Sequence, residues 1–328
     1  MRQLKPDADE IKQFLETLAQ QDWVKRTERR WWPMFVSHYT DIHNAISILQ
    51  EGYLYSRKYA EENEILGVSS GSSSVLASTP NNIKDHARLY FRPKTPTQYH
   101  MEGVRSKITL SEYGAHCPVP IFFLFDSCAI ISRAECKFSN GGLANRKAKL
   151  LSTSEDLEKL AWNEIYHTGR ISQHQRDSIV FHRNSEVIFP NKLDLNDLRY
   201  IYCRSDAERE TLFHLLSPEL INQYHNKIVS TTKNTLFFRK HTFIEKVRLD
   251  SGKVILSFSP DTESPGPFSL KVAYEFGDKQ KIIKKENFKI ESPYNFSIPA
   301  PISDYAIQVF LDEHLVYANK YESSKIPF

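Results

Sequence analysis

The sequence predicts an α+β protein in two parts: mixed helices and strands over residues 1–232, then a β-sandwich of immunoglobulin-like type over 233–328. Three observations predict it. Apolar residues recur at helical spacing behind capping signals near the start. A continuous apolar run at 119–125, VPIFFLF, has the length of a strand buried on both faces. Strict alternation then takes over beyond about residue 232. With 328 residues, 40% of them hydrophobic, the chain can fill a large core.

The first helix is expected behind Asp7 as N-cap, with Glu10 completing a capping box and Ile11, Phe14, Leu15 and Leu18 on one face. A junction of Lys25, Arg26, Arg29, Arg30, Trp31 and Trp32 follows, read either as a phosphate and base platform or as solvated arginines beside packed indoles. Residues 35–40 (FVSHYT) read as a short strand, and Ile42, Ala45, Ile46 and Leu49 as a helix stopped by Gly52. That strand-to-helix turn offers backbone N–H groups to a ligand, with His38 and Thr40 on one face.

Residues 68–82 are Ser-rich and punctuated by Gly and Pro, longer than most connections. In residues 83–99 basic groups and tyrosines crowd together, and two prolines are expected to deny a regular element after Phe91. Asn140-Gly141-Gly142 marks a turn, and Leu157, Leu160, Ala161 and Ile165 form a helical stripe around Trp162. Residues 178–190 look strand-like at both ends, with a polar block in the middle and Glu186 opening a strong β run. Beyond 232, Phe268, Leu270, Val272, Tyr274 and Phe276 alternate with polar positions, and 254–258 and 305–311 behave likewise between turn signals.

Composition narrows the function. A mean hydropathy of −0.48 and the lack of an apolar run near the roughly 18 residues needed to span a bilayer argue against a membrane protein. The N-terminus shows no secretory signal, so a cytoplasmic location is expected. Four cysteines at irregular spacing suggest neither a metal site nor a disulfide framework. A net charge of +3 does not mark a nucleic-acid binder, so any basic footprint must be local.

Three ordered segments resemble the DarT-like ADP-ribosyltransferases. They are His38-Tyr39-Thr40 leading into an Ile/Leu helix and a Gly-x-Leu exit; residues 90–99 (YFRPKTPTQY), similar to that family's Tyr-Phe-x-Pro-Arg-x-Pro-x-x-Tyr block; and His182-Arg183-Asn184-Ser185-Glu186-Val187, similar to its late Glu-bearing strand. The resemblance spans residues 35 to about 205 and leaves the sandwich outside.

The resemblance implies an ADP-ribosyltransferase-type split β-sheet and transfer of ADP-ribose from NAD, without a metal, to a nucleobase of single-stranded DNA, or of mRNA in a neighbouring branch. It also implies a toxin–antitoxin or phage-defence setting, with an antitoxin partner and a chaperone. Such chemistry needs a carboxylate against a ribose that develops positive charge, and donors for the amide and pyrophosphate. By match, Glu186 is the catalytic carboxylate, and His38, Tyr39, Thr40, Asn44, Tyr99 and Asn140 face NAD. The family's essential arginine falls where the Ser-rich segment prevents alignment. Arg57 is the first choice, with Arg88 and Arg92 as alternatives, while Arg88, Arg92, Lys94 and Arg183 are the candidate nucleic-acid contacts. Two competing readings are a protein ADP-ribosyltransferase and a non-enzymatic interaction protein built on the sandwich.

Overall fold

The structure, a computed structural model, describes residues 3–65, 67–68, 80–106, 116–231, 233, 235–290 and 294–324. Most of the Ser-rich stretch and the expected boundary at Thr232 lie outside the described residues. Chain contacts divide the protein into two compact units. One comprises 1–39, 43–99 and 122–201, and the other 40–42, 100–121 and 202–328. Among the described residues no helix is long and apolar enough to cross a membrane.

Among the described residues ten strands precede residue 232: β1 (Phe35–Asp41), β2 (Tyr53–Tyr55), β3 (His86–Tyr90), β4 (Pro120–Asp126), β5 (Lys137–Ser139), β6 (Leu150–Leu151), β7 (Glu186–Pro190), β8 (Lys192–Asp194), β9 (Leu198–Cys203) and β10 (Ile228–Ser230). Eight form one sheet in the order β10-β9-β4-β1-β3-β7-β5-β6, and β2 pairs with β8. The apolar run at 120–125 is β4, inside the sheet and buried throughout, as its lack of alternation predicts. Ser37 lies opposite Tyr90, and Tyr90 opposite Glu186, so β1, β3 and β7 carry their polar residues in one register.

Local expectations fail where tertiary contacts supply other partners. The helix Ala8–Gln20 buries Ile11, Leu15 and Leu18, yet Asp7 forms no capping box, because its carboxylate accepts from the Ser154 amide that opens the helix Ser154–Glu158. Residues after Phe91 do form a helix, Pro96–Met101: proline at the first helical position loses no bond, and Thr95 Oγ1 accepts from Gln98 N at 3.2 Å. The strand reading of 178–183 is also corrected. Arg176–Arg183 is a helix with Ile179 buried, and the polar block His182–Ser185 turns it into β7.

Beyond residue 232 the described residues form seven antiparallel strands: β11 (Ile244–Asp250), β12 (Lys253–Phe258), β13 (Phe268–Phe276), β14 (Lys279–Phe288), β15 (Asn295–Pro299), β16 (Tyr305–Leu311) and β17 (His314–Tyr321). They make two sheets, β11-β12-β15 and β14-β13-β16-β17. Every second residue of the alternating runs, among them Val254, Leu256, Leu270, Val272, Ile307 and Val309, enters one shared core. In the second unit Glu102 accepts from Phe238 N at 2.9 Å and Arg239 N at 2.7 Å, tying residues 100–106 to the approach to β11.

Candidate active site

β7 begins at Glu186, and the register sets that side chain beside Arg88, two residues before Tyr90 on β3. Arg88 donates from Nε to one carboxylate oxygen of Glu186 and from Nη2 to the other at 2.8 Å. A planar fork on a carboxylate fixes both groups in distance and orientation. The backbone N–H of Leu143 also donates to Glu186 Oε1, at 2.9 Å. Glu186 N in turn donates to Ser139 Oγ at 2.9 Å, and that hydroxyl donates to Gly141 O at 2.7 Å. The glutamate side chain is 1% exposed and the arginine 24%. The pair therefore shows its cationic half to solvent.

The electrostatics follow from this arrangement. Burial works against the charge on Arg88, but the facing Glu186 carboxylate outweighs it and holds the guanidinium above its ordinary pKa. Burial and the same carboxylate push Tyr90 up to about 12, keeping the phenol protonated. His38 stands on β1 with Nδ1–H donating to the carbonyl of Arg88 at 2.9 Å, which leaves Nε2 as the acceptor. Burial, with the Arg88 charge beside it, lowers His38 to about 4, so the ring is neutral at pH 7.

The turn Asn140-Gly141-Gly142 supports the carboxylate from behind. A Cβ on Gly141 would stand 2.2 Å from the Phe181 ring, so only glycine allows the helix Arg176–Arg183 to pack so near. Asn140 is turned to structure: its Oδ1 accepts from Lys149 N at 2.8 Å and its carbonyl from His182 at 2.6 Å. Asn44 likewise spends its side chain on the backbone of Val68, with bonds of 2.8 and 2.9 Å. Thr40 is buried on β1, Tyr39 stacks edge-on to Phe122 with centroids 5.2 Å apart, and Tyr99 is 38% exposed on its short helix.

Of the three candidate arginines, only Arg88 meets Glu186. Arg57 pairs with Glu61 one helical turn along, at 2.6 Å. Arg92 is 3% exposed and donates to the carbonyls of Pro93, Ile165 and His167, its guanidinium 4.6 Å from the ring centroid of Trp32. This is an internal brace, not a surface phosphate contact, and burial, then the charge of Arg183, lowers its pKa. Arg183 donates to His167 Nδ1 at 2.7 Å. Lys94 has a positive φ of 56° and its N–H donates to Gln98 Oε1 at 2.7 Å. The Trp31–Trp32 junction follows its packed reading, with buried Trp32 edge-on to Tyr166.

Sequence reasoning missed Tyr90, Ser139 and the Leu143 amide. Tyr90 opens the motif YFRPKTPTQY and Ser139 immediately precedes the Asn140-Gly141-Gly142 turn, but only strand register reveals that they flank the carboxylate. Among the described residues no cluster of three or more His, Cys, Asp or Glu is arranged to hold a metal.

The model of the family described as "ssDNA thymidine ADP-ribosyltransferase, DarT" matches residues 37–237, well over half the chain. The chain belongs to the DarT family. It is an NAD-dependent ADP-ribosyltransferase. The match to the DarT model opens one residue before His38 and ends before β11, so the sandwich lies outside it. Among solved structures, Thermus sp. 2.9 DarT in complex with ADP-ribosylated ssDNA is similar, at 14% identity and a TM-score of 0.51, over 63% of this chain and 97% of that one. This is a likeness of fold. The same Thermus protein in complex with NAD+ aligns at 14% identity and a TM-score of 0.48, over 63% and 98%. No curated protein matches the sequence.

Proposed function

We propose that this DarT chain transfers ADP-ribose from NAD to a thymine of single-stranded DNA, with Glu186 as the catalytic carboxylate and Arg88, in place of Arg57, as the arginine of the site. The observation that carries this reading is the two-pronged Arg88–Glu186 pair, built into adjacent strands and closed from behind by the Leu143 amide. The residues fit a dinucleotide. A cation stands at the open side of the pair, a neutral imidazole with Nε2 as acceptor lies on the neighbouring strand, and the carboxylate is sealed behind them.

In the reaction the bond from the ribose carbon to the nicotinamide nitrogen breaks and a base nitrogen forms the new bond. Positive charge grows on the ribose as the leaving group departs, and a preorganised carboxylate stabilises it without reorganising at that moment. The proton lost by the attacking nitrogen goes to Glu186. Arg88 keeps that carboxylate aimed, and as the more exposed partner it is the group an incoming anionic dinucleotide meets first. His38 and Thr40 hold the dinucleotide from β1. The site falls within residues 1–232, with the sandwich left for recognition or regulation.

DNA is favoured over messenger RNA and protein because the matched family is described by thymidine modification. A cell making such an enzyme needs a partner that restrains it, so an antitoxin belongs to this reading. The test is incubation with labelled NAD and, separately, a thymine-containing DNA oligonucleotide, the same oligonucleotide without thymine, RNA, and protein extract. Label on the first alone, lost in Glu186→Gln, supports the proposal. Label on RNA or protein instead overturns the choice of acceptor.

A further inference from the structure

Three guanidiniums converge on residues 165–169, all within one compact unit. Arg92 donates to the carbonyls of Ile165 and His167, and Arg29 Nη1 to that of Tyr166 at 3.3 Å. Arg183 Nη2 donates to His167 Nδ1 at 2.7 Å and to Gly169 O at 3.4 Å. Among the described residues none of the three pairs with a carboxylate. The acidic groups whose charge reaches them are Glu28, which lies exposed, and Glu164, which accepts from Ser178 Oγ. Like charges held this close disfavour one another. Bracing carbonyls needs donors, not three full charges without an anion. Arg92 is sealed, whereas Arg29 and Arg183 are half-buried.

The histidine fixes what this surface offers. Because Nδ1 accepts from Arg183, the ring carries its proton on Nε2, and burial with the three arginine charges holds it below its ordinary pKa. Gly169 lies against that edge of the ring: a Cβ there would stand 3.8 Å from Nε2. Arg29 is fixed by Thr27 Oγ1 on Nε, at 2.9 Å, and by the Trp23 ring, 5.3 Å from its guanidinium. Among the described residues, Arg29 Nη2, Arg183 Nη1 and the buried Arg183 Nε make no hydrogen bond within the protein. The same holds for the backbone N–H groups of Thr168, Gly169 and Arg170.

We infer that Arg29, Arg183 and the Nε2–H of His167 bind a phosphate of the acceptor DNA strand. Their place in the sheet favours the acceptor over the dinucleotide. Arg183 ends its helix three residues before Glu186, and the β3–β7 ladder runs past Tyr90 and Glu186 through Phe91 N to Ser185 O at 3.5 Å. Arg88 and the His38 contact lie before Tyr90 on β3, and Arg92 lies after it. A dinucleotide held at Arg88 and His38 therefore leaves the other end of the ladder to the second substrate. Two residues of strand span about 7 Å, so a phosphate held there keeps the adjoining base within reach of Glu186. The inference deepens the single-stranded DNA reading and rests on it for the choice of ligand.

The test is fluorescence anisotropy with the full-length protein and a labelled oligo-dT over a series of salt concentrations. Replacing Arg29 and Arg183 together by Gln should lower the slope of log K against log salt by about 0.7, the value for one phosphate of a single strand, and weaken binding roughly 5-fold near 0.1 M salt. Gly169→Asp separates this role from a structural one. It keeps every bracing bond and sets a carboxylate beside the three cations, so the melting temperature should hold or rise while binding weakens. NAD affinity, read by calorimetry, should match wild type in both variants. Weakened NAD binding with unchanged oligo-dT binding would assign the cluster to the dinucleotide and overturn the inference, as would wild-type binding and slope in both variants. Glu186→Gln is the independent arm: it should abolish transfer yet keep the full salt-dependent binding. If wild-type protein labels thymine-containing DNA while both variants bind it undiminished, the acceptor reading stands and this site falls; if wild-type protein does not bind oligo-dT, both fall.

Discussion

Arg88 and Glu186 face each other from neighbouring antiparallel strands, the guanidinium donating to both carboxylate oxygens, with the glutamate sealed and the arginine partly open to water. The two lie 98 residues apart in sequence and belong to different motifs. Their meeting makes each sensitive to loss of the other.

Glu186→Gln should lower ADP-ribose transfer on the order of 100-fold or more, since the shape persists and the charge does not. The variant also leaves Arg88 with a neutral partner, which should cost about 1–3 kcal/mol of stability, moderated by the arginine's exposure. Transfer rates and urea denaturation measured side by side check both parts. Wild-type turnover would remove Glu186 from the mechanism.

Arg88→Ala should cripple the enzyme while Arg57→Ala, which breaks a pair with Glu61 on its own helix rather than the pair with Glu186, should leave it near wild type. Transfer rates of the two purified variants check this, and an equal loss in Arg57→Ala would reverse the assignment.

Gly141→Ala should destabilise the protein and reduce activity together, because the new methyl group collides with the Phe181 ring and displaces the turn that leads to the Leu143 amide. Shrinking the obstacle in Gly141→Ala/Phe181→Leu should recover part of both. If the single variant melts and turns over as wild type, the turn does not support the carboxylate.

Stability should fall as the solution is acidified from about pH 6.5 towards 4. His38 is lowered from 6.5 to about 4 by burial, as is His241, so the unfolded chain binds protons that the folded chain refuses; above pH 6.5 the two states bind alike and the effect vanishes. Chemical denaturation at a series of pH values reads this directly. His38→Gln should flatten part of the slope, and an unchanged slope would show that His38 is not held neutral.

Replacing Arg92 by Ala should cost about 3 kcal/mol or more by stranding the carbonyls of Ile165 and His167. Its effect on DNA affinity should be small in whatever fraction remains folded. A stable variant with weakened DNA binding would restore the surface role expected from sequence.

The sequence by itself determined the parts that depend on periodicity and order. It set the buried run of β4, the helix Ile42–Glu51 ended by Gly52 at a φ of 72°, the alternation that fills the sandwich core, and the ordered motifs of the DarT family. Those features are local: spacing of apolar residues dictates which face can be buried, and glycine follows from a backbone angle. Tertiary structure decided which arginine meets the glutamate, that Asp7 spends its carboxylate on Ser154, that Arg92 turns inward, and that residues 176–183 form a helix. Each of these is a competition among partners distant in the chain. A charged or polar side chain takes the donor or acceptor that sheet register and helix packing bring within about 3 Å, and no local pattern encodes that choice.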